Sequence, residues 1–155
     1  MCGPETTNRP RGGALVALGP PSTASDGVLY GDLIFHTPGQ PGSAQATHAR
    51  LTPGSKYQQD VLNNLEVVIH TSGDLTRSAV GCGLLRRFAL PTLHRQSFVE
   101  LLLDEPLSLT VGGDGAGIIG RRVSLRSRPV VGDDVVVAEG IVGFNFSDAY
   151  ARSCL

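Results

Sequence analysis

The sequence has few charged residues and lacks several residue types almost completely. Its 155 residues include no tryptophan and one methionine, and Lys56 is the only lysine. Charged residues make up 17%, which is low for a helical bundle, and hydrophobic residues make up 41%, which excludes a disordered chain. The net charge of −1 provides no overall basic field, which argues against a conventional nucleic-acid-binding domain.

Cysteines and long apolar runs are also scarce. Cys2, Cys82 and Cys154 are an odd number with no CxxC pair, so a disulfide framework is disfavoured and a reducing compartment is the simplest interpretation. No apolar run approaches the roughly 18 residues that cross a bilayer. The segment GALVALG is too short and too rich in glycine for a signal peptide. We therefore expect a soluble intracellular protein with no membrane partner.

Motifs for catalysis and cofactor binding are missing from the sequence. The four histidines lack the HxH or HExxH spacing of metal ligands, and VGGDGAGIIG leads into a strand-like segment rather than the helix of a nucleotide site. No GxSxG nucleophile elbow occurs. We expect no enzymatic activity, no metal and no cofactor, although the carboxylate pairs at 104–105 and 133–134 leave a cation between subunits as an open alternative.

Turn-forming residues, in contrast, are abundant. The 20 glycines and 10 prolines favour many turns and hence a β-rich fold. Apolar and β-branched residues at period two, or in short runs bounded by turn residues, predict about eight strands. The segments are 14–18 as an edge strand, 28–36, 44–51, 65–70, 79–87, 107–111, 118–127 and 135–146, the last being one long strand or two strands bent at a glycine.

Two short connecting helices are predicted among these strands. The segment that follows Ser55, a typical N-cap, carries apolar and aromatic residues at helical spacing up to Leu65. Thr92 is a second N-cap, and the apolar residues of LHRQSFVELLL share one helical face, which predicts a helix at about 92–103. The elements together suggest a small β-sandwich.

Residues 1–27 are predicted to form an extended N-terminal arm, and residues 28–155 the folded domain. Proline and glycine interrupt the arm, so that only 14–18 is suited to a strand. Arg9 and Arg11 give the arm two positive charges. A terminus that is mobile or drapes over a neighbouring subunit is favoured over an RNA-contacting arm, because two phosphate contacts supply little affinity.

The order of elements over residues 56–87 resembles the coat proteins of small icosahedral plant RNA viruses, with the tymovirus coat as the nearest pattern. In that family a short helix bearing a tyrosine runs into a Leu-x-x-Leu-x-Val-x-Ile-His strand, and a Val-Gly strand follows after a loop. The matching residues here are Tyr57, Leu62, Leu65, Val67, Ile69, His70, Val80 and Gly81. The resemblance implies an antiparallel jelly-roll β-sandwich of two sheets. The family has one further strand before the last one, which this sequence does not place clearly.

The resemblance also implies a function, that of a viral capsid protein. Copies of the chain would assemble into an icosahedral shell around an RNA genome, forming a virion in the host cytoplasm. The RNA would be contacted without sequence specificity. The RNA-facing candidates are Arg9, Arg11, His48, His70, Arg122, Arg126 and Arg128.

Alternatives remain open for this assignment. Arg122, Arg126 and Arg128 are an even number of residues apart and would therefore lie on one face of a strand. That face could equally be solvated or lie between subunits. The whole chain could instead be a non-viral or phage β-sandwich module, binding or structural, that forms a small oligomer. A small β-barrel enzyme is a third reading, which a deep pocket gathering His70 or His94 with carboxylates would favour.

Overall fold

A computed structural model gives the architecture of the chain and describes residues 10–21, 29–54, 64–76, 79–92, 97–112, 115–128, 132 and 134–145. These ranges contain nine strands and one 3-10 turn, Ala79–Cys82. The strands are β1 Ala14–Leu18, β2 Gly31–His36, β3 Gln45–Pro53, β4 Leu65–Ile69, β5 Arg86–Ala89, β6 Val99–Val111, β7 Gly117–Ile119, β8 Arg122–Ser127 and β9 Val135–Phe144. In the described part of the chain, no helix is long and apolar enough to span a membrane.

All nine strands belong to one hydrogen-bonded sheet. Their order is β5-β4-β8-β9-β1-β2-β3-β6-β7. The pairings between these strands are antiparallel except for β6 with β7, which is parallel, so the sheet is mixed. The prediction of an all-β chain is confirmed.

The sheet curls over on itself, and its inner side encloses the core. In sheet order β2 and β5 are five positions apart, which is about 24 Å in a flat sheet at about 4.8 Å per strand. The rings of Phe35 on β2 and Phe88 on β5 are nevertheless in edge-to-face contact, with centroids 6.4 Å apart. One continuous cluster of buried apolar residues therefore draws on both halves of the sheet.

A tight corner between β7 and β8 carries the chain from one half of the sheet to the other. Gly120 sits at this corner with a φ of 87°, in the left-handed region that favours glycine. Its amide donates to the carbonyl of Val142 on β9 at 2.8 Å, while Gly112 donates to Ile119 on the other side of the corner at 2.8 Å. The predicted strand at 118–127 is thus two short strands that serve opposite halves.

The strand at 14–18 is correctly predicted, but its position as an edge strand is wrong. β1 pairs with β2 on one side and with β9 on the other, and Ala14, Val16 and Leu18 belong to the core. Burial of alternate side chains on this short apolar segment explains why it sits in the middle of the sheet. The structure also resolves the open question at the end of the chain, where 135–144 is a single strand.

The helix predicted at 92–103 is wrong for its second half, because β6 begins at Val99. Val99 and Leu103 face the core, and Leu101 between them packs against it, which is a period of two. Pairing of this segment with β3 satisfies its backbone groups, and Leu102, which also fits a helical face, is left 65% exposed. The helix predicted after Ser55 lies outside the described residues.

The strand predicted at 79–87 is also largely wrong. Residues 79–82 form a 3-10 turn, and the strand begins only at Arg86. Gly83 has a φ of 73°, and a Cβ at this residue would lie 2.2 Å from Oγ1 of Thr71. The glycines of this segment therefore serve a turn that is folded closely against the sheet.

The close approach at Gly13 can be tested with a matched pair of substitutions. Gly13 and Gly39 both have positive φ, but a Cβ on Gly13 would lie 2.1 Å from the carbonyl oxygen of Phe35, whereas one on Gly39 meets nothing within 4 Å. Gly39→Ala is expected to lower the free energy of unfolding by about 1–2 kcal/mol. In Gly13→Ala the steric clash is expected to lower the free energy of unfolding by about 1–3 kcal/mol in addition to the same penalty. Equal losses for the two variants in urea denaturation would contradict this packing.

Candidate functional site

The outer side of the sheet, away from the core, carries two clusters of polar side chains. The first cluster lies on β4, β8 and β9, where Arg122 is paired with Glu139. Both side chains are only 4% exposed. Nε of Arg122 donates to Oε2 of Glu139 at 3.1 Å, and Nη2 donates to the same oxygen. Burial by itself lowers the pKa of Arg122, but the hydrogen bond to Glu139 outweighs this effect and raises the pKa above its ordinary value.

His70 and Ser124 form the second half of this cluster. Nδ1 of His70 lies 2.8 Å from the carbonyl oxygen of Gly83, and Nε2 lies 2.8 Å from Oγ of Ser124. Because a carbonyl can only accept, Nδ1 carries the proton, and in the neutral ring Nε2 accepts from the serine hydroxyl. Burial is the largest influence on His70 and lowers its pKa, with Arg122 and Arg126 acting in the same direction.

A serine hydroxyl bonded to an oriented histidine has the arrangement of a nucleophile and its base. Here, however, His70 is 1% exposed and Ser124 is fully buried. A substrate therefore has no path to the hydroxyl in this conformation. The chemistry that this arrangement supports is structural: it ties β4, β8 and the turn at Gly83 together through a side chain that uses both ring nitrogens.

The second polar cluster lies on β2, β3 and β6. Nε2 of His36 is 2.6 Å from Oε1 of Glu100, which also accepts from Nε of Arg50 at 3.3 Å. The Arg50 guanidinium lies 4.0 Å above the ring of Phe98, within the range of a cation–π contact. His48 stands beside this group, with its ring centroid 6.1 Å from that of His36.

The charges of this second cluster shift the pKa values of two groups. Burial lowers the pKa of His36 and outweighs its attraction to Glu100. Burial raises the pKa of Glu100, but the hydrogen bonds from His36 and Arg50 act in the other direction and leave the pKa below its ordinary value. At neutral pH the cluster therefore contains a neutral His36, an ionised Glu100 and the Arg50 cation.

Sequence reasoning placed seven residues at a candidate RNA-facing site, and the structure separates them. Arg126 is half-buried and Arg128 is exposed, and they lie close together near the end of β8. Nη1 of Arg128 is 3.1 Å from Oε2 of Glu66, so its charge is already paired. His70 and Arg122 are buried with their polar atoms occupied by protein groups, and in this conformation they present nothing to a phosphate.

The other members of that set lie elsewhere. His48 is half-buried on β3, in the second cluster, far along the sheet order from β8. Arg11 is exposed just before β1, and Arg9 lies outside the described residues. The structure therefore brings together Arg126 and Arg128, with Arg122 on the same strand but covered.

Arg121 has a structural role that its sequence neighbourhood did not reveal. Its guanidinium is buried and donates to three main-chain carbonyls, those of Gly117 at 2.6 Å, Thr71 at 2.7 Å and Gly115 at 2.5 Å. The carbonyls of the glycine-rich segment leading into β7 accept hydrogen bonds from Arg121, which fixes this segment in place. The only signal in the sequence was the proximity of that glycine loop to the arginine.

A small open cleft lies at one end of the curled sheet. It has a volume of about 340 Å³ and is lined by Gly12, Gly13 and the 41–44 turn, together with Leu109, Phe144 and Asn145. The cleft contains none of the histidines and no carboxylate. Among the described residues, no group of three or more histidines, cysteines or carboxylates is placed to hold a metal ion.

Comparison with known proteins adds no assignment. No protein-family model matches the sequence, and no curated protein matches it either.

The buried Arg122–Glu139 pair predicts a large loss of stability when one partner is neutralised. Glu139→Gln is expected to lower the free energy of unfolding by about 3–5 kcal/mol, because the arginine charge stays buried without its partner. The control is Glu105→Gln, at a pair with Arg86 whose glutamate is 82% exposed, and it should stay within about 0.5 kcal/mol of the parent. In the double variant Arg122→Met/Glu139→Leu the loss should be smaller than in Glu139→Gln. Equal stabilities of Glu139→Gln and Glu105→Gln in urea denaturation would contradict this.

The lowered pKa values of His36 and His70 predict that acid destabilises the fold. Below the unfolded value of about 6.5, the unfolded chain binds protons that the folded protein does not, so the free energy of unfolding decreases as the pH falls towards the folded values. Each histidine contributes at most about 1.4 kcal/mol per pH unit in this window. In His36→Gln, whose amide can replace the donor to Glu100, the slope between about pH 7 and pH 5 should be smaller. An unchanged slope in urea titrations of this variant would refute the contribution of His36.

Proposed function

We propose that the protein is a coat protein, a subunit that assembles with copies of itself into an icosahedral shell around an RNA genome. The observation that carries the proposal is the outward display of large apolar side chains on an all-β scaffold. On β6, Leu102 is 65% exposed and Val111 is 70% exposed. Tyr30, Leu84, Val135 and Phe144 are exposed as well.

Exposed leucines and valines on a sheet are suited to burial against other subunits. Burying one such side chain in an interface contributes about 1.5–3 kcal/mol. The net charge of −1 means that many copies can be packed closely without strong mutual repulsion. These two properties together favour association between copies of the chain.

In the proposed coat protein, the fold is a jelly roll of two facing sheets. The contact between Phe35 and Phe88 supports two facing layers, one around β4 and β8 and the other around β2 and β3. The short parallel pairing of β7 with β6 departs from a purely antiparallel arrangement. In the proposed jelly roll, this parallel pairing is a local feature of the corner at Gly120.

RNA contact in the proposed shell would rest on the accessible basic residues. The members of the predicted set that are not buried are Arg126 and Arg128 at the end of β8, half-buried His48 on β3 and Arg11 near the start of the described chain. Even a small set of basic side chains can contact phosphates, and such contacts do not depend on the RNA sequence. His70 and Arg122 are left out of the proposed RNA surface because they are buried. The assembled particle would be the virion, formed in the host cytoplasm.

Assembly is tested by electron microscopy and sedimentation of the purified protein, with the ratio of absorbance at 260 nm to that at 280 nm as the readout for RNA. Uniform spherical particles that contain nucleic acid are expected. Leu102→Asp should lower the particle yield at least about tenfold, because one lost apolar contact exceeds the 1.4 kcal/mol that corresponds to a factor of ten. Its circular dichroism should be unchanged, because the side chain is largely exposed.

The control for this variant is Gln40→Asp, which places the same charge on an exposed polar residue in the turn between β2 and β3. It should assemble as the parent does. A parent protein that remains a monomer or a small ring at high concentration would overturn the coat-protein proposal in favour of a binding module. Empty shells would retain the assembly and refute the RNA contacts of Arg126 and Arg128.

A further inference from the structure

The turn that covers the outer side of β4 and β8 is held by a histidine that can titrate. Residues 79–85, here named the Cys82 segment, fold back onto the end of β4 and lie over Arg122. Cys82 is buried within this segment, with Sγ 3.4 Å from Nη1 of Arg122 and 3.4 Å from the carbonyl oxygen of Asp74. The accessibility of this thiol therefore reports whether the segment is in place.

We propose that the His70–Ser124 pair is a pH-sensitive latch, which holds the Cys82 segment on the sheet while the imidazole is neutral and releases it when the imidazole is protonated. The inference rests on the described contacts of His70 alone and is independent of the coat-protein proposal.

The neutral ring satisfies every group around it. Its Nδ1 proton is donated to the carbonyl of Gly83 within the segment, and its Nε2 lone pair accepts the proton of Ser124 on β8. Both distances are 2.8 Å, and the ring is almost completely buried. The ring thus links the segment to β8 through two hydrogen bonds, and the serine hydroxyl can donate to Nε2 only while the ring is the neutral Nδ1–H tautomer.

Protonation reverses the direction of the bond to Ser124 and introduces a buried charge. The added proton turns Nε2 into a donor, so the serine hydroxyl has to rotate and direct its own hydrogen elsewhere. Among the described residues, no second partner for that hydroxyl is present within hydrogen-bonding distance. A buried polar group without a partner is destabilising, and a buried cation is more so.

The charges that face His70 do not compensate a positive ring. Arg122 and Arg126 on β8 oppose protonation. Glu139 on β9 favours it, but its carboxylate is already bonded to Arg122. The segment and the loop before it contribute the Cys82 thiol and Asp74, whose main-chain oxygen accepts from Arg122. Burial of the ring is the largest influence and outweighs the hydrogen bond to the Gly83 carbonyl, which favours the protonated form, so the pKa of His70 is lowered.

The main-chain hydrogen bonds of the segment have no partner that titrates. The Cys82 carbonyl accepts from the Ser72 amide at 3.0 Å and from Oγ1 of Thr71 at 2.8 Å, and the Leu85 amide donates to the Ile69 carbonyl at 2.8 Å. These bonds involve main-chain and hydroxyl groups only. His70 is therefore the group through which mild acid acts on the segment.

The latch is tested through the reactivity of Cys82 in a Cys2→Ser/Cys154→Ser background, which leaves one thiol in the chain. The rate of its reaction with a dipyridyl disulfide is measured from about pH 7.5 to about pH 5 and divided by the rate for the urea-unfolded protein at the same pH, which corrects for the pH dependence of the reagent's reaction with an accessible thiol. Circular dichroism is recorded in parallel. The ratio is expected to rise by up to about tenfold per pH unit once the histidine begins to protonate, while the dichroism spectrum remains that of the folded protein.

Two variants separate the latch from a general effect of acid. His70→Asn keeps an amide donor at the place of Nδ1 but has no titrating group, so the ratio should no longer depend on pH. His36→Gln removes the other buried titrating ring, on the far cluster, and should leave the rise in the ratio unchanged. A ratio that is flat in the parent, a rise that persists in His70→Asn, or a rise that coincides with loss of the dichroism signal would each overturn the proposal.

Discussion

Burial of apolar side chains between the two halves of a single curled sheet is the constraint on which the rest of the structure depends. Phe35 and Phe88 meet across this core although their strands are far apart in sheet order. The curl requires the chain to change halves at Gly120, where the backbone adopts a conformation that favours glycine. Because one side of each strand faces this core, the polar groups lie on the other, outer side.

The outer side is more buried than is usual for such a surface, and its polar groups are accordingly paired. Glu139 with Arg122, Glu100 with His36 and Arg50, and Ser124 with His70 are cross-strand contacts that follow from the register of β8 with β9, of β3 with β6 and of β4 with β8. Buried charges and hydroxyls are stable only when they are satisfied in this way. The same condition makes the protein sensitive to acid, because two of the satisfied groups are neutral histidines.

The side chains that remain accessible define what the protein can do with partners. Besides polar and acidic residues, they include isolated large apolar residues, such as Leu102 and Val111, and a few arginines. The buried pairs contribute stability and hold the turn at Cys82, whereas the accessible groups are available for contacts with other copies. The proposed coat function rests on this division between satisfied polar groups and exposed apolar ones.

The sequence by itself determined the all-β class and the approximate position of most strands, because period-two runs such as LEVVI and closely spaced glycines and prolines depend only on local geometry. It also indicated which arginines share a strand face. Only the tertiary structure decided which side of the sheet is covered. Arg122 and His70 are typical surface residues by sequence, and they are buried because the Cys82 segment folds over them. Likewise β1 is central, and residues 99–103 are a strand rather than a helix, because strands distant in sequence pair with these segments and bury Val16, Val99 and Leu103 in the common core.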